Sequence, residues 1–417
     1  MSSSPRKPVA ASRRRSSSVT SALRQVPLNE HKQDKMTGEV QPLFGPPRPR
    51  TADDLPARYN TLGFWEDIRT GRWMLVPLSS FILMVIPVIL YWNQFMLIDL
   101  GMMGPFTTNP FTPFIFPSHK LPNGKYAIGL GDFAFIAYHI IFWSFVRQFM
   151  TIHVLRPIAK ALGIRGGKIM RFTEQGYALF YFGMTSIAGI YVMRDLPTWW
   201  YKTENFWIGY PHEEMTLGLK LYYLLQAAYW CQQTIILALK IEKPRKDFTE
   251  LVLHHIVTLW LVGWSYFLSL TYIGVAIFLT MDISDVFLAL AKCVNYVSEP
   301  ASNPFFAVFV GVWSYFRHYL NLWILYSVYT EFDLIPNVYD SFEPWAGRWM
   351  VWWMKWQIFV PIFLLQLINL FWYFLIWRIL FRIVFLKVTK DERSDDEDED
   401  DVDEDAPKQV GQADKAQ

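Results

Sequence analysis

Residues 271–290 read TYIGVAIFLTMDISDVFLAL, an apolar run of 20 residues whose only charged side chains are Asp282 and Asp285. A helix of about 20 apolar residues is long enough to cross the hydrocarbon core of a bilayer. The chain has 417 residues, 52% of them hydrophobic, and similar runs recur along it. About eight spans are predicted, at about 73–92, 130–150, 175–193, 218–240, 251–269, 271–290, 305–329 and 355–386. The sequence therefore predicts an all-α, polytopic membrane helix bundle.

The loops between these spans alternate in charge. The loop after the second span is basic, and the loop after the third is acidic. The basic residues of the first of these loops are Arg156, Lys160, Arg165, Lys168 and Arg171. The acidic residues of the second are Asp195, Glu204, Glu213 and Glu214. Because basic residues favour the cytosolic side, eight spans with both termini cytosolic are expected. Seven spans are the alternative, since 251–269 and 271–290 form either a tight hairpin or two partial spans inside the bundle.

The two ends of the chain differ from its apolar middle. Residues 1–64 are basic and rich in Ser, Pro and Arg, whereas residues 391–417 form an acidic tail. Both segments are predicted to be disordered and cytosolic, because neither has enough apolar side chains to bury. Residues 65–129 are predicted to hold the first transmembrane helix and a lumenal loop. Residues 130–390 are predicted to form the transmembrane domain that carries the candidate site.

Ionisable side chains cluster in the fifth and sixth spans. His254 and His255 lie just inside the start of the fifth span, and Asp282 and Asp285 lie at a similar depth in the sixth. Asp282 and Asp285 are three residues apart, so they share one helix face. Ionisable groups at membrane depth are costly and usually mark functional sites. A carboxylate that binds one ring nitrogen leaves the other basic, so a histidine here can act as a general base or a nucleophile.

Two other interpretations of this cluster are open. A buried histidine is commonly structural, although two histidines beside two aspartates are harder to explain in that way. The second interpretation is a metal site, as in a metal-dependent hydroxylase. The chain has only 8 His, and only this pair is clustered, so no metal is predicted. Acyl transfer from a thioester fits better, because it needs a nucleophile or base, an oxyanion stabiliser and a channel for the chain.

Further polar residues are candidates for substrate binding. They lie in the seventh span and just before the histidines: Arg317, His318, Asn321, Lys243, Arg245 and Lys246. Arg317 is able either to pair with an aspartate or to contact a phosphate or head group. The basic run is either ordinary cytosolic charge or a site that captures an anionic nucleotide head such as that of coenzyme A.

Five sequence blocks resemble those of a known family. They are Gln226-Ala227-Ala228-Tyr229-Trp230, Glu242-Lys243-Pro244-Arg245-Lys246-Asp247, His254-His255-Ile256-Val257-Thr258, Met281-Asp282-Ile283-Ser284-Asp285 and Arg317-His318-Tyr319-Leu320-Asn321. With these blocks, residues 65–390 resemble the fungal ceramide synthases of the TLC-domain family. The resemblance implies an enzyme of the endoplasmic reticulum membrane that transfers a very long acyl chain from acyl-coenzyme A to the amine of a sphingoid base, sphinganine or phytosphingosine.

The same resemblance implies the roles of the site residues and the partners. His254, His255, Asp282 and Asp285 match the catalytic signature of the family. We assign His254 to the nucleophile or base, His255 to orientation or proton transfer, and the aspartates to stabilising the imidazole. Acyl-coenzyme A is the expected co-substrate, with no cofactor and no nucleic acid. A small single-pass accessory subunit is expected, as is a homodimer or a heterodimer with a related synthase. A non-enzymatic TLC-domain protein that binds lipid or associates with a translocon is the alternative.

Overall fold

The computed structural model describes residues 59–104, 107–239, 247–343 and 348–386. Within these ranges the chain forms helices joined by loops, with isolated β-bridges and no β-strand. The helical fold class predicted from the sequence is thus confirmed. The predictions for most of the basic N-terminal segment and for the acidic tail lie outside the described residues.

The long helices are labelled α1 to α8 in chain order. They are α1 Pro77–Asp99, α2 Gly131–Phe149, α3 Lys168–Arg194, α4 Leu217–Ala238, α5 Phe248–Phe267, α6 Thr271–Val297, α7 Glu299–Trp313 and α8 Met354–Phe381. Two of them continue beyond a π-helical turn: α2 through Met150–Leu155 to Arg156–Ala161, and α7 through Ser314–Leu320 to Asn321–Thr330. A π turn ends α8 at Arg382–Leu386, and the short helices Phe64–Arg69 and Arg72–Met74 precede α1.

Five of the described helices are long and apolar enough to cross a membrane: Pro77–Asp99, Gly131–Ala161, Lys168–Arg194, Thr271–Val297 and Met354–Phe381. The protein is therefore a multi-pass membrane protein. The helices α4, α5 and α7 coincide with the other predicted spans, but they carry polar residues that lower their hydropathy. In α4, for example, Lys220, Gln226 and Gln232 are all buried inside the protein. The exact count of eight spans stays a prediction.

The connection between α5 and α6 is a tight hairpin, one of the two arrangements expected from the sequence. Three residues, 268–270, separate the helices, and Ser269 has a positive φ of 55°. The N–H of Leu270 donates to the carbonyl oxygen of Ser265 at 2.8 Å, which satisfies the end of α5. The two helices have 20 and 27 residues, so both are of spanning length.

The bundle is built around α6, which packs against α3, α5 and α7. The helix α8 packs against α5 and α7, and α4 packs against α2, α3 and α5. The helices α2 to α8 thus form a ring. Residues 273–282 of α6 are buried on every side, as expected for a helix enclosed by protein rather than lipid. The helix α1 instead lies outside this ring against α2, with Trp92 58% exposed.

The acidic loops lie together at one end of the bundle, called the acidic end below. The indole N–H of Trp207, after α3, donates to the Ser327 hydroxyl near the end of α7 at 2.8 Å. The loop before α2 joins them, because Lys125 Nζ lies 2.8 Å from Glu214 Oε2. The helix ends at the opposite, basic end are the ones flanked by Lys and Arg. This segregation of charge is the arrangement that the positive-inside rule describes.

A buried ion pair joins α2 and α4 near the acidic end. Lys220 Nζ lies 2.8 Å from Asp132 Oδ1, and the two side chains are 0% and 4% exposed. Tyr266 of α5 donates its hydroxyl to Asp132 Oδ2 at 2.8 Å, and the Lys220 ammonium also reaches the carbonyl oxygen of Ala127. The hydrogen bonds satisfy both charges, as a buried ion pair requires. Asp132 therefore fixes the packing of three helices.

Candidate active site

A cavity of about 310 Å³ opens at the basic end of the bundle. Its walls come from α2 to α8, so the ring of helices surrounds it. The position of the lining residues within their helices gives its depth: Gln175 lies near the start of α3, Leu237 near the end of α4, and Leu251 near the start of α5. The cavity therefore occupies the half of the bundle that the loop charges assign to the cytosolic side.

His254 and His255 both line this cavity and are buried, with exposures of 8% and 7%. Their ring centroids are 5.7 Å apart and the rings are perpendicular. His255 Nδ1 lies 2.8 Å from the carbonyl oxygen of Leu251, so this nitrogen donates and Nε2 is left as an acceptor. His254 Nδ1 has no hydrogen-bond partner among the described residues. The two neighbouring imidazoles are thus held differently.

Two tryptophans frame the histidines. The Trp230 ring lies 5.6 Å from His254 and 5.8 Å from His255, centroid to centroid. The Trp372 ring of α8 lies 5.3 Å from His254, and its N–H donates to Asp247 Oδ2 at 3.3 Å. Packing between aromatic rings limits the rotamers of His254, so it presents one fixed orientation to the cavity.

Asp285 lines the cavity as part of an ion pair. Arg317 Nη2 lies 2.6 Å from Asp285 Oδ1, and the side chains are 3% and 18% exposed. Arg317 also donates to the Ser284 hydroxyl at 2.6 Å and to Asn369 Oδ1 at 3.0 Å, and its guanidinium stacks over the Trp313 ring. The arginine lies in the π turn of α7, a feature often found at functional sites. The N–H groups of Arg317 donate to protein groups on α6 and α8. Arg317 therefore holds the Asp285 carboxylate in a fixed position.

Asp282 lies behind the cavity wall. Its Oδ2 accepts from Gln226 Nε2 at 2.5 Å, and Tyr181 donates its hydroxyl to Gln226 Oε1 at 2.8 Å. Asp282 is 0% exposed and is not a lining residue. Three residues on a helix turn by about 300°, so Asp282 and Asp285 diverge by about 60°. That divergence sends Asp282 toward α3 and α4 and Asp285 toward α7.

The structure brings together only part of the predicted set. His254, His255, Asp285 and Arg317 share the cavity, but neither aspartate hydrogen-bonds a histidine among the described residues. The expected carboxylate–imidazole contact is replaced by Asp285–Arg317 and Asp282–Gln226, because each aspartate meets a closer polar partner on a neighbouring helix. The roles assigned to these residues stay predictions.

His318 and Asn321 lie in the interface of α7 with α8, outside the cavity lining. Gln366 of α8 joins them: its Nε2 lies 2.8 Å from His318 Nδ1, and its Oε1 accepts from Asn321 Nδ2 at 2.7 Å. These contacts cross-link the two helices, as polar side chains commonly do between membrane helices. Substrate binding by His318 and Asn321 stays a prediction.

The basic candidates Lys243, Arg245 and Lys246 lie outside the described residues. They connect Leu237 and Phe248, which both line the cavity. Two further cations were not among the sequence candidates for substrate binding: Arg147 of α2 and Lys292 of α6 both line the cavity. The sequence marks Arg147 as an intramembrane cation of the predicted second span, whereas Lys292 lies just beyond the predicted sixth span. That both face the cavity is seen only in the packed helices.

The arrangement suits covalent or acid–base chemistry on a substrate that enters from the basic end. It offers two imidazoles, the Asp285 carboxylate fixed by Arg317, and cations in one cavity. The electrostatic interactions of such groups with a substrate are stronger in a cavity of low dielectric than in water. Among the described residues, no group of three or more His, Cys, Asp or Glu side chains is placed to hold a metal ion.

Comparison with known proteins gives consistent matches. The model of the TLC domain matches residues 171–378. Sphingosine N-acyltransferase lac1 of Schizosaccharomyces pombe is 42% identical over 284 residues, which cover 67% of this chain and 73% of that protein. Ceramide synthase LAG1 of Saccharomyces cerevisiae is 40% identical over 288 residues, 69% of this chain and 70% of its own. The chain therefore belongs to the TLC-domain family, in the branch of the fungal sphingosine N-acyltransferases, or ceramide synthases.

Proposed function

We propose that the protein is a ceramide synthase that transfers a fatty acyl group from acyl-coenzyme A to the amine of a sphingoid base. The observation that carries this proposal is the cavity in which His254, His255 and Asp285 meet, in the membrane and open at the basic end. A water-soluble thioester head can approach from that end, while both aliphatic chains remain in the apolar interior. The names of the related proteins support the same reaction.

His254 is the group we assign to the reacting carbonyl. In a covalent route, an imidazole nitrogen attacks the thioester carbon, the C–S bond breaks, and coenzyme A leaves as a thiolate. The sphingoid amine then attacks the acyl-imidazole and restores His254. In a direct route, the imidazole accepts a proton from the amine as the amine attacks the thioester itself. Both routes give an amide and coenzyme A thiol.

His255 and Asp285 have supporting roles in this proposal. The hydrogen bond from His255 Nδ1 to Leu251 leaves Nε2 as an acceptor facing the same cavity. It is therefore suited to hand protons between the amine and the leaving thiolate. We assign Asp285, whose carboxylate is fixed in the cavity wall by Arg317, to hydrogen bonding of the ammonium form in which a sphingoid base arrives.

The cations at the basic end suit the other substrate. Arg147 and Lys292 line the cavity, and Lys243, Arg245 and Lys246 belong to the segment between α4 and α5. Phosphates of coenzyme A are recognised by such groups through charge-assisted hydrogen bonds. We propose that the nucleotide head stays at this end, and that thioester chemistry needs no further cofactor.

The cavity itself is too small for a complete very long acyl chain together with its head. Its volume of about 310 Å³ lies at the low end of the range of about 300–1,000 Å³ found for small-molecule sites. We propose that the chain extends beyond it into the packed half of the bundle or the bilayer. We also propose that the protein lies in the endoplasmic reticulum membrane. There it associates with a small single-pass accessory subunit and forms a dimer.

The function is tested by ceramide formation in membranes from cells that lack endogenous ceramide synthase. Membranes with and without the protein receive labelled sphinganine or phytosphingosine and acyl-coenzyme A of graded chain length, with the accessory subunit supplied. The expected result is labelled ceramide only where the protein is present, with a maximum at very long chains. No ceramide at any chain length would contradict the proposal and favour a non-enzymatic role in lipid binding.

A further inference from the structure

Several cavity-lining side chains carry a buried hydrogen-bond donor without a partner. Trp230 Nε1, Trp313 Nε1 and the Tyr177 hydroxyl are shielded from water and make no hydrogen bond within the described structure. A buried donor without a partner carries an uncompensated loss of hydration. An indole N–H can only donate, so what would satisfy Trp230 or Trp313 is an acceptor atom brought by a ligand.

Trp230 is the one of these donors that lies against both histidines. Its ring centroid is 5.6 Å from that of His254 and 5.8 Å from that of His255. Trp313 instead lies under the Arg317 guanidinium, 4.1 Å from the ring centroid. Of the two unpaired indoles, Trp230 is therefore the one that packs on His254.

Trp372 is a second indole beside His254, and its N–H does have a hydrogen-bond partner. Its ring is as close to His254, at 5.3 Å, but its N–H donates to Asp247 at 3.3 Å. The two tryptophans therefore form a natural comparison. Both pack on His254, and of the two only Trp230 has an indole N–H without a partner in the described structure.

We propose that Trp230 is a catalytic residue whose indole N–H binds the carbonyl oxygen of the acyl thioester and stabilises the negative charge that develops on it. This inference rests on the proposed acyl transfer and names its oxyanion donor. The donor is held in place before the reaction by the rings around it, so little reorganisation accompanies the charge.

The step is the same for both routes. A nitrogen lone pair, from His254 or from the neutral sphingoid amine, forms a bond to the carbonyl carbon. The π electron pair moves to the oxygen, which accepts a hydrogen bond from Trp230. When the pair returns, the C–S bond breaks and the thiolate of coenzyme A leaves. In the direct route it takes up the proton that the amine releases through the imidazole. In the covalent route it takes up the imidazole N–H proton, which the amine replaces when it attacks the acyl-imidazole.

The test compares Trp230→Phe with Trp372→Phe, because each removes an indole N–H and keeps an aromatic ring beside His254. Steady-state rates of ceramide formation are measured against acyl-coenzyme A concentration. For Trp230→Phe we expect kcat to fall by about 10²–10³-fold, the usual effect of losing one oxyanion donor, with KM little changed. For Trp372→Phe we expect a far smaller loss of kcat.

A binding measurement separates loss of the donor from loss of packing. An S-alkyl-coenzyme A thioether of the same length lacks the carbonyl, so it should inhibit the wild type and Trp230→Phe with equal inhibition constants. If Trp230→Phe folds poorly, benzothienylalanine incorporated at position 230 keeps the bicyclic ring and removes only the N–H. It should show the same fall in kcat.

Equal kcat losses for Trp230→Phe and Trp372→Phe in a well-folded enzyme, or full activity with benzothienylalanine at position 230, would overturn the role of Trp230. Either result would leave the acyl transfer itself intact. A wild-type protein that forms no amide from any acyl-coenzyme A would instead overturn the proposed function, and this inference with it.

Discussion

The Arg317 guanidinium and the Asp285 carboxylate form an ion pair 2.6 Å long in the wall of the cavity. The pair joins α7 to α6, and a further contact, from Arg317 Nη1 to Asn369 Oδ1, adds α8. Because Arg317 is only 3% exposed, its charge is compensated by protein groups rather than by water. The cavity wall therefore depends on both members of the pair.

Removal of one member of this pair should destabilise the protein more than removal of both. Arg317→Leu leaves the Asp285 charge without its partner, a change that typically costs about 3–5 kcal/mol for a buried pair. The double variant Arg317→Leu/Asp285→Leu should recover a large part of that loss. Thermal unfolding in detergent, arranged as a double-mutant cycle, measures the coupling. Additive effects of the two substitutions would show that the pair is not coupled in the membrane protein.

Gln226 should matter more for stability than Gln232 on the same helix. Both side chains are buried, but Gln226 donates to the Asp282 carboxylate, whereas Gln232 donates to the neutral Ser144 hydroxyl at 3.3 Å. Gln226 also accepts from the buried Tyr181 hydroxyl, and each buried polar group left without a partner costs about 1–3 kcal/mol. Gln226→Leu should therefore lower the unfolding temperature more than Gln232→Leu. The reverse order would contradict the placement of Asp282.

Asp67 should anchor the start of α1 over the whole neutral and mildly acidic range. Burial favours the neutral acid, but hydrogen bonds from Ser79, Thr61 and the N–H of Leu62, with the nearby Arg72 charge, outweigh it and hold the pKa of Asp67 below its usual value. A lowered pKa in the folded state means that the stabilisation is present above the unfolded pKa of about 3.9 and disappears as pH falls through the folded pKa.

The measurement for Asp67 is the difference in unfolding temperature between the wild type and Asp67→Asn as a function of pH. The difference should be constant between neutral pH and about pH 5 and shrink at pH values below about 4, where the carboxylate takes up a proton. A difference that already vanishes at about pH 6 would contradict the anchored carboxylate.

The acidic end should face the lumen. Lys125→Thr creates the glycosylation acceptor pattern Asn-Gly-Thr at Asn123, in an exposed turn between α1 and α2. The substitution removes only an exposed ion pair with Glu214, which contributes little to stability. We expect a mass shift on gels that glycosidase reverses, and that disappears when Asn123→Gln is added. An acceptor site that stays unmodified in a folded, active protein would contradict the orientation.

The sequence anticipates the helical layout because hydropathy and loop charge are local signals. The run at 271–290 lies within α6, and the tight turn after α5 follows from the short gap between two apolar runs. Spacing also predicts that His254 and Asp285 meet at one depth. It cannot predict which neighbour each side chain selects, since Arg317 and Gln226 come from distant parts of the chain.

The unpaired N–H of Trp230 is likewise invisible in the sequence. The same residue type at position 372 has its donor occupied by Asp247, and nothing in the local pattern separates the two. The π turn of α7, which carries Arg317 at the cavity wall, has no sequence signature in this chain either. Such features depend on how the packed helices share space, which local patterns do not specify.

The proposed role of His254 in acyl transfer is tested by the rate of ceramide formation of His254→Ala beside that of His139→Ala. His139 is a matched control: it lies in α2, outside the cavity lining, and its Nδ1 lies 2.8 Å from a backbone carbonyl oxygen, as in His255. At equal protein levels, His254→Ala should abolish product while His139→Ala retains most of the wild-type rate. Undiminished ceramide from His254→Ala would exclude His254 as the nucleophile or base.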